Sequence, residues 1–527
     1  MTDSRPAQGR AAEGRAAASR TAGNLLDRVA GSPPLGGTIT FARLVGSESL
    51  PLTELYERSG RVARWLRARG IGPGDRVGIL AANCLEWVML DLAALRLKAE
   101  TAGFEPGKFE PTAELMERYG IGLLCTDRAT DAPGAVSMRE VRAASEAQPA
   151  DDTPLPAVVW GDRDVTTIKF TSGSTGEPKG LGATAGSIGS SLAAVQEVFA
   201  HKPDDDLFVF LPLSLLQQRY WVYSALLHGH DVTITTYEAA FAALRRVRPT
   251  VVMGVPALYE TAKRQIETRL ARAGDGTGPA QAARAVFGDR IRYLWTGSAP
   301  ANPDTLRFFT EAGLPLYEGY GLNETCIVAK NHPGASREGS VGRVLPGKEV
   351  LIDDDGLVRV RAEHPVNTRY AYAAPGYSER VFAPDGTVVT GDLGRIDEDG
   401  FLYILGRADD VIVLDNGKKV VVRPIEEHMK ADPAIAECVV FCPAQTELVA
   451  VVSPASVPAD RDAIAARLAL TNSSLAADER ISRVVVADPP FDIGNGLLTS
   501  QYKPKRRQIL AAHHSAVHDS TEGIHAP

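Results

Sequence analysis

The ten residues Thr171–Gly180, TSGSTGEPKG, are the densest concentration of potential chemistry in this chain. Gly173, Gly176 and Gly180 free the backbone to turn sharply. Thr171, Ser172, Ser174 and Thr175 add hydroxyls, and Lys179 adds a positive charge. Backbone N–H groups and hydroxyls in such a turn can surround phosphate oxygens, so a polyphosphate is the guest it suits. Two better-known turns are excluded. A P-loop needs Ser or Thr after its lysine, and here Gly180 follows Lys179. A nucleophile elbow needs glycine where Ser172 stands. A flexible linker would share the glycine and serine content but not the ordered Pro178–Lys179–Gly180 ending.

Four further segments carry residues of chemical interest, each weak by itself. GSAP (297–300) follows an apolar run. YEGYGLNET (317–325) places Glu324 four residues after Tyr320, and one carboxylate shared with phosphate oxygens is a sensible ligand for Mg²⁺. Asp392 in TGDLGRID (390–397) would alone be read as a turn former. The KPKRR run in NGLLTSQYKPKRRQIL (495–510) would alone be a solvated basic stretch.

Taken in order, these segments resemble the motifs of the acyl-adenylate-forming superfamily, which includes acyl-CoA synthetases, nonribosomal adenylation domains and luciferases. The resemblance covers roughly residues 40–510, and the wording PIEEHMKADPAI and the Leu-Leu-Thr approach to Lys503 lean towards acyl-CoA synthetases, with the motif wording most similar to that of the long-chain and aryl members. It implies roles by position. Residues 171–176 and Lys179 would hold the β- and γ-phosphates of ATP. Gly297, Ser298, Ala299 and Pro300 would line the adenine, with Glu318, Gly319, Tyr320 and Gly321 opposite and Tyr320 stacking on it. Glu324 would hold Mg²⁺, Asp392 would accept from the ribose hydroxyls, and Arg407 would contact ribose or phosphate. Asp409 would be the pivot of a mobile C-terminal domain. Lys503, with Lys505 as runner-up, would be the catalytic lysine.

The reaction so implied has two steps. A carboxylate attacks the α-phosphorus of ATP, and Lys503 stabilises the charge that develops. The small domain then turns, carrying Lys503 away and bringing Asn416, Gly417 and Lys418 towards coenzyme A, whose thiol takes the acyl group. No enzyme cysteine is needed.

Two positions depart from the pattern. Asn323 stands where a threonine usually contacts the α-phosphate; its amide can donate but is longer and differently aimed. Leu215 replaces the histidine of a common Leu-Pro-Leu-Ser-His segment. Either the pocket is reshaped for an unusual acid, or adenylation is weakened and the enzyme works on a preformed acyl-adenylate. The acyl pocket should draw on Leu215, Tyr220, Trp221, Gly254, Val255 and Leu322, which suits a hydrophobic acid. A free-standing enzyme loading a carrier protein is the remaining alternative; no carrier domain follows Lys503.

The elements that must position these residues are legible in outline. Apolar runs 75–83, 165–170, 205–213, 231–237, 250–256 and 291–297 read as strands, most followed by helical stretches such as 52–70 and 85–97. That alternation predicts an α/β fold of parallel-sheet subdomains. Beyond about residue 340, repeated Asp-Gly turns predict a small antiparallel, barrel-like subdomain. Mixed α/β texture resumes after Arg407. The expected organisation is a disordered arm (1–24), an adenylate-forming domain (25–407), a mobile domain (408–511) and a disordered tail (512–527).

Composition sets the remaining bounds. At 527 residues the chain exceeds a single core. A net charge of -8 argues against general nucleic-acid binding, and no apolar run is long enough for a transmembrane helix. Five cysteines (84, 125, 326, 438 and 442) without a CxxC pair fit reduced thiols in a cytoplasm. Cys438 and Cys442 are expected on one buried strand face.

Overall fold

The computed structural model describes residues 24–148, 154–172, 178–273, 278–415, 418–499 and 502–526. Two sheets with covered faces form its larger part. In one, six strands run parallel in the order Leu316–Leu322, Tyr293–Thr296, Val251–Met253, Asp206–Val209, Asp231–Thr235 and Thr38–Ala42. Antiparallel strands Cys326–Lys330, Arg343–Val344 and Ser47–Pro51 extend its two edges. In the other, Ala135–Ser137, Leu123–Thr126, Arg76–Leu80, Glu100–Phe104 and Val165–Ser172 are parallel, and Pro178–Thr184 closes the edge as an antiparallel hairpin partner.

Helices Leu85–Leu97 and Leu216–His228 are buried almost all round, as their lack of a polar face requires. They carry the main core together with Trp87, Trp221 and Trp295. Among its apolar residues lies a buried polar knot. Arg219 from the second helix pairs with Asp91 from the first at 2.8 Å and donates to the hydroxyls of Thr101 and Thr167 on adjacent strands. Breaking such a pair leaves an uncompensated buried charge, so the knot fixes the register between helices and sheet.

The expected antiparallel texture is present as a four-stranded sheet, Lys348–Ile352, Leu357–Ala362, Val388–Ile396 and Leu402–Arg407. The chain leaves it at Arg407 through a 3₁₀ turn, Ala408–Asp410, into the hairpin Val411–Val413/Lys419–Val421. A last sheet follows, Ile435–Phe441, Leu448–Pro454, Ile481–Val486 and Ile524–His525, with its own apolar clusters.

Several expectations need correction. The run 205–213 is strand only over Asp206–Val209, and 250–256 only over Val251–Met253, since Pro256 begins a helix. Cys438 is buried, but Cys442 lies just past the end of its strand and is half-buried. The tail is ordered: His514–His518 is helical, and Ile524–His525 pairs with Arg483–Val484 as an edge strand. The reason is Arg483, buried in that sheet, whose guanidinium donates to the carbonyls of Ala516, Val517 and Glu522. A buried guanidinium needs acceptors, and the tail supplies them. The arm at 1–23 lies outside the described residues.

Candidate active site

The strand Leu316–Leu322 and the returning strand Cys326–Lys330 carry one half of the site on a tight turn. Gly321 permits it: a Cβ there would lie 2.1 Å from the Cys326 carbonyl oxygen. The Leu322 N–H donates to the Thr325 hydroxyl at 3.0 Å, which holds Asn323 and Glu324 at the tip. Asn323 is exposed, and Lys169 donates to its carbonyl oxygen at 2.5 Å.

Tyr320 projects from this strand and donates to Asp392 Oδ2 at 2.5 Å. Asp392 is buried, and its other oxygen pairs with Arg407 at 3.1 Å. The ladder makes the second contact: Asp392 and Arg407 are register partners on adjacent antiparallel strands. Arg407 also donates to Asp409 at 3.0 Å. Burial beside the Asp392 carboxylate pushes the Tyr320 phenol far above its ordinary range.

Lys503 comes from the last domain to this same place. Burial, with the charges of Arg423 and Arg407, holds its ammonium below the ordinary lysine value, and Asp392 partly opposes them. Lys505 instead starts the helix Arg506–Ala512, its backbone N–H spent on the Leu497 carbonyl. Next to Lys503, the Tyr502 ring stacks on Tyr237 of the large domain with centroids 5.9 Å apart.

Beneath the 297–300 segment lies a buried pair. Glu318 accepts from the Ala301 N–H at 2.8 Å, and burial raises its carboxyl to about 7. Lys330 is fully buried, donates to the Thr296 and Tyr317 carbonyls and sits 3.9 Å over the Trp295 ring. Gly319 lies against its side chain: a Cβ there would be 2.4 Å from Lys330 Cδ. Glu318 is thus a buried support under the segment rather than an open contact. Ser298 holds a left-handed backbone, φ 69°.

Glu324 is partly buried and accepts from the Tyr370 hydroxyl at 2.5 Å. Lys179, on the strand that leaves the glycine-rich turn, is buried; its Nζ lies 3.1 Å from the Tyr377 ring centroid and 5.8 Å from that of Tyr370. It has no hydrogen-bond partner among the described residues. Residues 173–177 lie outside the described residues, and so do Asn416 and Gly417; Thr171 and Ser172 end the strand before the turn. Lys418 is engaged within its own domain by Asp478 at 2.7 Å and Glu479 at 3.1 Å.

The residues expected in the acyl pocket divide. Leu215 sits at the N-cap of helix Leu216–His228, and Tyr220 on that helix has its hydroxyl 2.9 Å from Cys326 Sγ, across from Leu322. Trp221 instead packs edge-on against Trp295 in the core, centroids 5.1 Å apart. Gly254 lies under Tyr259, whose ring a Cβ would meet at 2.7 Å, and Val255 belongs with Tyr259 and Phe287 to an apolar cluster separate from the main core. The spacing of the sequence missed Tyr370, Tyr377 and Lys169. Only Lys169 left a signal, as a charged residue inside an apolar strand.

The profile of the family described as "AMP-binding enzyme" matches residues 39–365, and that of its C-terminal domain matches 409–519. The chain is 29% identical over 479 residues to the long-chain-fatty-acid–CoA ligase FadD15 of Mycobacterium bovis, covering 76% of this chain and 77% of that protein. It is 26% identical over 409 residues to the 2-succinylbenzoate–CoA ligase of Bacillus subtilis, covering 75% and 81%. Among solved structures, the o-succinylbenzoate CoA synthetase of Bacillus subtilis in complex with its acyl-adenylate superposes with TM-score 0.74 at 22% identity, over 95% of this chain and 99% of that one. ATP-bound MatB from Rhodopseudomonas palustris gives 0.75 at 22%, over 93% and 98%. These two share the fold. By its sequence and its architecture, the chain belongs to the AMP-binding enzyme family.

Proposed function

We propose that the enzyme is an acid–thiol ligase: it converts a carboxylic acid and MgATP into an acyl-adenylate and pyrophosphate, then transfers the acyl group to coenzyme A. The observation that carries this reading is the convergence of Tyr320, Asp392 and Arg407 from the large domain with Lys503 from the small one. A ribose diol suits the Asp392 carboxylate, and the Tyr320 ring is an adenine platform. As an ammonium, Lys503 would meet the charge of the substrate carboxylate and α-phosphate. Asp409, at the 3₁₀ turn between the two domains, is the pivot about which Lys503 would withdraw.

The donor set fits Mg²⁺ shared with the nucleotide. Among the described residues no group of three or more His, Cys, Asp and Glu could hold a metal by itself. Glu324, oriented by Tyr370, would supply one carboxylate and the phosphates the rest. When bound, Mg²⁺ supplies neutralisation of phosphate charge.

The acid has a largely apolar body, in keeping with Leu215, Tyr220 and Leu322 around the turn. A second reading restricts the enzyme to thioester formation from a preformed adenylate. The exposed Asn323, tethered through its carbonyl rather than presenting a threonine hydroxyl, favours it.

Incubation with MgATP, coenzyme A and a panel of acids, with pyrophosphate and acyl-CoA followed by mass spectrometry, tests both. Both products from one acid establish the complete ligase. Thioester from synthetic adenylates alone establishes the restricted enzyme. No thioester from either source sinks the proposal.

A further inference from the structure

Lys169 and Lys348 reach the same turn, 322–326, from different sheets. Lys169, only 5% exposed, has the Asn323 carbonyl as its hydrogen-bond partner. Lys348, partly buried at the start of its strand, donates to the Thr325 carbonyl at 3.1 Å. Among the described residues no carboxylate forms an ion pair with either. Withdrawn ammonium groups without a counter-charge are costly, and proteins ordinarily pair them. Burial holds Lys348 below the ordinary lysine range; the Cys326 thiol opposes this, and the Lys169 charge adds to it.

A third polar group lies over the neighbouring strand. The strand Glu100–Phe104 runs parallel to Val165–Ser172 with Thr101 opposite Thr167, and those two hydroxyls meet at 2.9 Å. Positions 101 and 167 therefore share a face, and two residues on, Gly103 and Lys169 continue it. Ser214 covers Gly103: a Cβ there would lie 2.8 Å from Ser214 Cα. The Ser214 hydroxyl is buried without a hydrogen-bond partner among the described residues. Leu215 follows it directly, and Tyr220 on the ensuing helix meets Cys326. Two cations and a hydroxyl thus stand among the apolar groups proposed to receive the acyl chain.

We infer that the acid activated here carries a second carboxylate, received by the ammonium groups of Lys169 and Lys348 and the hydroxyl of Ser214. This rests on the acyl-adenylate ligase reading above. The carboxylate supplies the missing counter-charge and enough lone pairs for three donors. The other anion near the turn would be the α-phosphate of the nucleotide. Lys348 holds Thr325, after Glu324 in the turn, and Lys169 holds Asn323, before it, so each lysine variant is read on both compounds to separate the two anions.

The test uses two non-hydrolysable acyl-sulfamoyl adenosines with the same acyl chain, one ending in a free carboxylate and the other in its methyl ester. Their binding to the full chain is measured by calorimetry, without turnover. The carboxylate form should bind at least about ten-fold tighter, as charge-assisted hydrogen bonds do. K348M should bring the two within about two-fold of one another, and K348R should keep the preference. K169M should act like K348M, with circular dichroism checking that this more buried site still folds. Equal or tighter binding of the ester overturns the inference and leaves the ligase intact. So does a preference that survives K348M, or an equal loss on both compounds, which would assign the lysines to the phosphate. Failure of both compounds to bind overturns the ligase reading and this inference with it.

Discussion

Tyr370 and Glu324, 46 residues apart in sequence, are joined by a hydrogen bond of 2.5 Å from the phenol to the carboxylate. Glu324 stands on a turn and needs a fixed direction if it is to meet a metal shared with phosphates. Tyr370 supplies that direction from the segment after Ala362. Its ring is locked in turn by Tyr377 and Phe382, with centroids 5.5 and 5.2 Å away.

Tyr370→Phe therefore keeps the packing and removes only the donor. A hydrogen bond to a charged group is worth about 1.5–3 kcal/mol, so adenylation at limiting Mg²⁺ should fall about 10- to 100-fold. Pyrophosphate release titrated against Mg²⁺ checks this. An unchanged Mg²⁺ dependence would mean that Tyr370 merely packs.

Lys503 should set the alkaline limb of adenylation. Its ammonium is held below the ordinary lysine value by burial first and by Arg423 and Arg407 besides. The sign follows: the cation is the working form, so kcat/KM falls as pH rises through this lowered value. Lys503→Arg should move the limb upward or abolish it within the accessible range. Lys503→Ala should cost about 10²–10³ in adenylation while sparing thioester formation from a supplied adenylate. A limb that stays in place in the arginine variant would assign it to another group.

The stack of Tyr237 on Tyr502 should bias the two half-reactions in opposite directions. It joins the large domain to the residue beside Lys503, and it must open if the small domain turns. Aromatic pairs contribute about 0.5–1.5 kcal/mol, so Tyr502→Ala should slow adenylation roughly 2- to 10-fold. Single-turnover measurement of each step separates this from general damage, which would slow both.

Gly103→Ala should destabilise the large domain. The added methyl would meet the Ser214 backbone at 2.8 Å, and overpacking of this kind costs about 1–3 kcal/mol. A lowered urea midpoint with an unchanged slope would bear this out, whereas wild-type stability would show that Ser214 has room to move.

The order of chemistry along the chain was legible because it depends on local wording. The Asp-Gly hairpins and the helix Leu85–Leu97 are each decided within about a dozen residues, by turn chemistry in the first case and a long apolar run in the second. Strand ends were less legible. The apolar run 205–213 continues past Val209 because Phe210 and Leu213 are buried in a turn, not because the sheet extends. Tyr370 and Tyr377 leave no local signal, and Lys169 only a charge within its strand, for a different reason. Their partners Glu324, Lys179 and Asn323 lie 46, 198 and 154 positions away, and no local pattern encodes such a meeting. A position in a motif does not say which face of a helix or loop meets the core: Trp221 packs on Trp295, and Gly254 lies under Tyr259.

The bond between Arg483 and the three carbonyls of residues 516–522 makes the final helix and strand a clasp on the small domain. Anyone trimming the chain for crystallisation meets this first. A cut after Ile509 would strip the guanidinium of its acceptors and uncover the edge of the sheet, although every residue discussed for chemistry would remain. The loss would be read on a gel as insoluble protein long before it was read in an assay, and an inactive trimmed enzyme would say nothing about catalysis.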